Sequence, residues 1–201
     1  MYKRQAYSYK TNYTPKLCKI VNELGGYAET VSEMEVELAL KCGVNPKNII
    51  WNGPIKNHEK LEEYLSLGVT VNIDSIDEAE YIELLADKSD VVFNVGIRCN
   101  YDVKDGVVSR FGFDTDGEDF KKVLDIVINN EKLHFVNFQC HFAKRQVEYW
   151  PTRAKGMVEL IDRLGIIPER IDIGGGLFGK MPDELKKQFT SDIPQYKDYA
   201  K

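Results

Sequence analysis

Two short stretches carry groups that could do chemistry. Tyr7-Ser8-Tyr9-Lys10-Thr11-Asn12 sets a lysine behind an aromatic run of strand type. Ile171-Asp172-Ile173-Gly174-Gly175-Gly176 sets three glycines behind an apolar one. A lysine amine is a nucleophile toward carbonyl carbon once it is neutral. Glycines without a Cβ let backbone N–H groups come close to a phosphate. An amine and a phosphate cradle on two strand ends of one sheet would hold a phosphorylated aldehyde cofactor such as pyridoxal phosphate. Each stretch also has a plainer reading: a solvated lysine, and an ordinary strand-to-helix turn. Gly174–Gly179 further fits the dinucleotide pattern G-x-G-x-x-G, but Pro182 follows too soon for the long helix that pattern requires.

The elements that must position these groups alternate along the chain. Strand-like runs are Tyr7–Lys10, Tyr27–Glu29, Asn48–Trp51, Val69–Ile73, Val91–Ile97, Phe135–Cys140 and Arg170–Ile173. Helical periodicity fills the intervals. Thr14 and Pro15 open the first helix, whose stripe is Leu17, Ile20, Val21 and Leu24, and Gly25-Gly26 stop it. Ser32 with Glu35, and Ser75 with Glu78, make capping boxes. Asp116 is expected to cap the helix of Phe120, Val123, Leu124 and Val127. Met157, Leu160, Ile161 and Leu164 stripe the next, which stops at Gly165.

Seven strand–helix steps imply a parallel sheet with right-handed crossovers. An open doubly wound sheet and a barrel both fit. Lys10, Glu29, Asn52, Asp74, Arg98, His141 and Gly174–Gly176 all fall at strand C-termini, the face on which barrel enzymes build their sites. The expected fold is therefore α/β, a (β/α)8 TIM-type barrel with about seven of its eight units present.

Composition narrows the partners. The chain has 201 residues, 43% apolar, with a net charge of −5. That balance argues against nucleic acid. No apolar run reaches the ~18 residues of a membrane span, and no secretory leader is visible. Cys18, Cys42, Cys99 and Cys140 lack metal-type spacing and read as reduced, buried thiols of a cytoplasmic protein.

Taken together, the motifs resemble the fold-type III pyridoxal-phosphate decarboxylases, which act on diaminopimelate, ornithine, arginine and related amino acids. The pieces that carry the resemblance are Tyr7–Asn12, Ser32-Glu33-Met34-Glu35, Asn52-Gly53-Pro54, Asn72–Ser75, Gly96–Asn100, Ser109–Gly112, Cys140-His141-Phe142 and Asp172–Gly176. They run in family order over nearly the whole chain. They are poor at choosing the substrate.

The resemblance implies that Lys10 forms the imine with pyridoxal 5'-phosphate and that His141 stacks on its ring. It implies that Gly174, Gly175 and Gly176 hold the phosphate, and that Arg98 lies near the phenolic oxygen or the substrate carboxylate. A structural ion pair is the alternative for Arg98. Glu29 and Glu35 could pair with Lys10, although Glu35 also has its capping role. Asn52 and Asp74 are expected to buttress loops, and His58 and His134 to lie on the surface. Many family members carry a phosphate-binding serine three residues after the histidine. Lys144 stands there, followed by Arg145, and either could serve by charge or be a plain loop residue.

The expected activity is an amino-acid decarboxylase, first of diaminopimelate in lysine biosynthesis. Ornithine or arginine decarboxylation, racemisation, or a non-catalytic cofactor-binding homologue are the alternatives. The family's barrel continues into a β domain, usually in a homodimer with shared sites. Neither the last strand, the Glu-Pro-Gly-Arg segment nor the Cys-Asp segment is found in residues 1–201. The expectation is one partial barrel domain, inactive or nearly so by itself. Met1–Gln5, too charged to lead into a buried strand, are expected to be foreign to it.

Overall fold

The computed structural model describes residues 5–189 and 193–199. Met1–Arg4, most of the segment expected to be foreign, lie outside the described residues. Seven parallel strands stand side by side: β1 (Ala6–Ser8), β2 (Tyr27–Thr30), β3 (Ile49–Trp51), β4 (Thr70–Ile73), β5 (Phe93–Asn100), β7 (Leu133–Phe142) and β8 (Arg170–Gly175). The two-residue β6 (Phe113–Asp114) pairs with the end of β5. Helices α1 (Pro15–Glu23), α2 (Glu33–Lys41), α3 (His58–Leu67), α4 (Ile76–Ala86), α5 (Glu118–Asn129) and α6 (Trp150–Leu164) make the crossovers. The short α7 (Asp183–Lys186) follows β8. This is the expected parallel barrel, short of closure: among the described residues β1 and β8 do not pair with each other.

The sheet curls, and side chains show it. At about 4.8 Å per strand, β3 and β8 would stand roughly 19 Å apart in a flat sheet. Yet Nδ2 of Asn52, just past β3, donates to Asp172 on β8 at 3.2 Å. Lower down, Arg170 on β8 donates to Thr70 on β4 at 3.3 Å and lies over the Tyr27 ring of β2.

Period-two alternation sorts the two faces. On β7, Val136, Phe138, Cys140 and Phe142 are buried beneath the helices, among Phe120, Val123, Met157 and Leu160 of the core. Asn137, Gln139 and His141 turn to the concave side. In register they stack with β5 and β8 as Gly96–Asn137–Arg170, then Arg98–Gln139–Asp172, then His141–Gly174. The concave face is therefore polar. Gly96 makes this possible, because a Cβ there would strike Asn72 Oδ1 and come within 2.8 Å of Asn137.

Four local expectations are corrected. The first strand ends at Ser8, and Lys10 sits on a 3₁₀ turn, Tyr9–Thr11. In α1 the buried residue is Cys18, while Ile20 is 41% and Leu24 82% exposed. That helix packs mainly on β2 at the sheet's edge, so half its apolar stripe has no cover. Helix α5 is capped by Gly117, and Asp116 instead pairs with Arg163 of α6. Both capping boxes are offset. Ser32 and Ser75 accept from Glu35 N and Glu78 N, but the carboxylates reach back one residue further, to Val31 N and Asp74 N. Gly165, at φ +65°, ends α6 as expected.

Candidate active site

Lys10 is carried by a pinned loop. Tyr7 Oη donates to the Asn12 carbonyl at 2.8 Å, and Thr11 Oγ1 to the Ser8 carbonyl at 2.7 Å. Asn12 Oδ1 accepts from the Thr14 N–H and hydroxyl. Tyr9 is buried beneath, which leaves Lys10 exposed at the strand end. Its positive charge bears on Glu35, His141 and Asp172. Neither Glu29 nor Glu35 closes an ion pair with it among the described residues. Glu35 is spent on the Val31 N–H at 2.7 Å, as its capping role foretold.

His141 lies inside β7 and not in a loop beyond it. A Cβ on Gly174 would fall 3.2 Å from His141 Cδ2, so the ring rests against the first glycine of the triplet. Burial first, then the positive charges of Lys10, Arg98 and Arg153, push the imidazole down to about 4. At neutral pH the ring carries no charge.

The glycine turn leaves no room for side chains. Gly174 approaches the Cys140 carbonyl, with 2.9 Å to a hypothetical Cβ. Gly175 holds φ +132°, and Arg153 Nη1 stands where its Cβ would be. At Gly176 the corresponding neighbour is Arg145 Nε, at 2.6 Å. Glycine is required at Gly174 by the close approach of backbone and at Gly175 by conformation.

Arg98 is buried and held on two sides. Asp74 Oδ2 accepts from Nη1 at 2.7 Å, and the Phe111 ring lies 4.8 Å from the guanidinium. Asp74 Oδ1 also accepts from Gly112 N at 2.8 Å, which ties the loop after β5 to β4. The ion-pair alternative for Arg98 is therefore present, and Asp74 does buttress a loop.

Asn52 does more than buttress a loop. Its Nδ2 donates to Glu29 Oε1 and to Asp172 Oδ2, each at 3.2 Å, and its Oδ1 accepts from Asn72. Burial and the Glu29 charge push the Asp172 carboxyl up to about 6, against the Asn52 hydrogen bond and the charges of Lys10 and Arg98. Asn137 and Gln139 leave side-chain polar atoms without partners beside this network.

The remaining candidates separate. Arg145 reaches the glycine turn; Lys144 offers its carbonyl to Arg153 Nη2. His58 stacks on Tyr81, and His134 pairs with Glu169, both at the surface. All four cysteines are buried and free. Sequence reasoning missed Arg153, wholly buried in the first turn of α6. It also missed the buried pair Lys56–Glu78, 2.7 Å apart, which fastens the loop after β3 to α4. A cation in a helix's first turn opposes the macrodipole, and that was the one signal for Arg153.

Comparison with known proteins places the whole arrangement. Residues 2–197 match the family model described as pyridoxal-dependent decarboxylase, pyridoxal binding domain. The diaminopimelate decarboxylase of Aquifex aeolicus is 28% identical over 93% of this chain and 48% of its own. A crystal structure of diaminopimelate decarboxylase from M. jannaschii superposes with a TM-score of 0.84 at 24% identity, over 98% of this chain and 48% of that one. The Paramecium bursaria Chlorella virus arginine decarboxylase bound to agmatine shares the fold at a TM-score of 0.69 and 21% identity, over 88% and 49%. The chain spans about half the length of the curated relatives it matches. No helix among the described residues is long and apolar enough to cross a membrane. Lysine loop, histidine and glycine turn thus stand on the fold of these enzymes, and the chain belongs to the pyridoxal-dependent decarboxylases through their pyridoxal-binding domain.

Proposed function

We propose that this chain is the cofactor-holding barrel of an amino-acid decarboxylase that converts diaminopimelate to L-lysine. The observation that carries the reading is that one sheet of parallel strands presents His141 against Gly174 near the ends of β7 and β8, and Lys10 on the turn after β1, all at its C-terminal edge. The diaminopimelate decarboxylases among its relatives favour that substrate.

The residues suit pyridoxal phosphate on grounds of their own. Gly174 and Gly175 leave no room for a Cβ, and Arg153 beside them keeps two donors without partners among the described residues. Bound there, the cofactor supplies the sink for the electron pair that a departing α-carboxylate leaves behind. Lys10 Nζ would be the nucleophile available to the cofactor's aldehyde carbon. Gly174–Gly176 offer backbone N–H groups to the phosphate. His141 presents an uncharged ring face, which leaves the positive charge to the donors around it. Arg98, locked by Asp74 and Phe111, would offer its remaining N–H groups to an anionic oxygen of cofactor or substrate. The proposal includes a homodimer, on the strength of the family resemblance.

The test is borohydride reduction of the intact protein in pyridoxal phosphate, followed by peptide mass spectrometry. A label on Lys10, absent from Lys10→Ala, is expected, with CO2 released from diaminopimelate in a panel of amino acids. Label without CO2 from any amino acid would leave a binding protein and sink the enzyme. CO2 from ornithine or arginine alone would replace the substrate. Sedimentation at equilibrium decides the dimer.

A further inference from the structure

Arg153 is a buried guanidinium that closes no ion pair among the described residues. It is wholly buried, between the rings of Trp150 at 4.9 Å and Phe142 at 5.8 Å. One nitrogen, Nη2, donates to the Lys144 carbonyl. Nε and Nη1 have no partner. Of the groups whose charge bears on it, Cys140 first and then Asp105, neither is hydrogen-bonded to it among the described residues. Burying a guanidinium in this way is costly, and buried charges are kept where something pairs with them.

Its position says what that something is. Arg153 Nη1 fills the space beside Gly175, and Arg145 Nε the space beside Gly176. Two guanidinium groups thus border one glycine turn. The first turn of α6 is fastened there, since Tyr101 Oη donates to the Arg153 carbonyl at 2.7 Å. A fork of donors of fixed geometry matches two oxygens of a phosphate monoester better than any ammonium does.

We propose that Arg153, with Arg145 at the rim, is the cationic anchor for the phosphate dianion at Gly174–Gly176. The task that the family resemblance gives to residue 144 passes to a side chain one helical turn into α6. This deepens the reading above and rests on it. Arg153 sets the affinity for the phosphate end of the cofactor and leaves the aldehyde end alone.

The experiment compares pyridoxal phosphate with pyridoxal, which lacks the phosphate, on the intact protein and on Arg153→Met and Arg145→Met. Equilibrium affinities are read by titration, and inorganic phosphate is titrated separately. Arg153→Met is expected to weaken pyridoxal phosphate and inorganic phosphate roughly 10-fold or more, a loss typical of one charge-assisted hydrogen bond. Pyridoxal binding stays unchanged, and Arg145→Met has a smaller effect of the same kind. An unchanged ratio of pyridoxal phosphate to pyridoxal affinity in Arg153→Met overturns the anchor. Should the wild type bind inorganic phosphate through Arg153 and neither aldehyde, the cofactor reading falls and the anchor stands. If Arg153→Met does not fold, crystals of the wild type grown with phosphate decide. Phosphate at the glycine turn accepting from Arg153 Nη1 or Nε supports the anchor, and phosphate absent there or bound without Arg153 overturns it.

Discussion

One amide nitrogen of Asn52 bonds the Asp172 carboxylate at 3.2 Å across the concave face, although the two residues stand on strands four places apart. The same nitrogen serves Glu29. Asn52→Leu should leave a buried carboxylate, Glu29, and a half-buried one, Asp172, without their shared donor. The expected cost is about 1–3 kcal/mol of unfolding free energy, read from urea denaturation. The Asp172 carboxyl should also titrate above its present value of about 6, since the bond to Asn52 lowers it. Unchanged stability and titration would remove the cross-barrel tie from the account.

Asp172 and His141 should pull the pH dependence of stability in opposite directions. The Asp172 carboxyl rises from 3.8 to about 6 on folding. Folding therefore takes up a proton, and this contribution is full below pH 3.8 and lost as pH rises through about 6. The His141 imidazole falls from 6.5 to about 4. Folding releases a proton there, and that contribution is present above pH 6.5 and lost as pH falls through about 4. The two slopes offset each other across the shared window. In Asp172→Asn the His141 slope stands alone, so stability should climb more steeply from pH 4 to 6 than in the wild type. Urea midpoints at a series of pH values check it, and superposable curves would contradict it.

Asp74→Ala should strand Arg98 as a buried, unpaired cation. Breaking such a pair costs on the order of 3–5 kcal/mol. The Gly112 N–H loses its acceptor in the same variant. Hydrogen exchange at Gly112 should accelerate more than in the strands, which separates loss of the loop tie from general loosening.

Gly175→Ala should damage phosphate binding first. A side chain at φ +132° carries strain of about 1–3 kcal/mol. It would also displace the Arg153 guanidinium. Equilibrium dialysis should show pyridoxal phosphate weakened far more than pyridoxal. Equal weakening of both would mean that the turn serves the barrel and not the ligand.

Much of this was legible in the sequence. Strand ends could be read because the concave face alternates with an apolar one, and because glycines and prolines punctuate the chain. Lys10 stands just past the strand expected to end in it, and His141 and Gly174–Gly175 lie inside β7 and β8. What stayed hidden depended on contacts between distant segments. Arg153 and Gly175 meet only through the packing of α6 on β7. Lys56 and Glu78 each look like surface charges until the fold buries them together. Asp116 had the right type for a cap, and Arg163 drew it away. The stripe of α1 is half uncovered: periodicity reports a face, not whether another element covers it.

Among the described residues β1 and β8 are the two rims of the sheet, and no backbone pairing joins them. Backbone pairing fixes the spacing from each strand to the next, but it does not set the distance from the first rim to the last. Lys10 rides beside one rim and the glycine turn on the other. The span between nucleophile and anion seat is therefore tuned by a few polar guy-lines, with Asn52 to Asp172 and Arg170 to Thr70 chief among them. Lengthening or shortening one of those lines should retune which aldehydes fit, with no change to any residue that touches them.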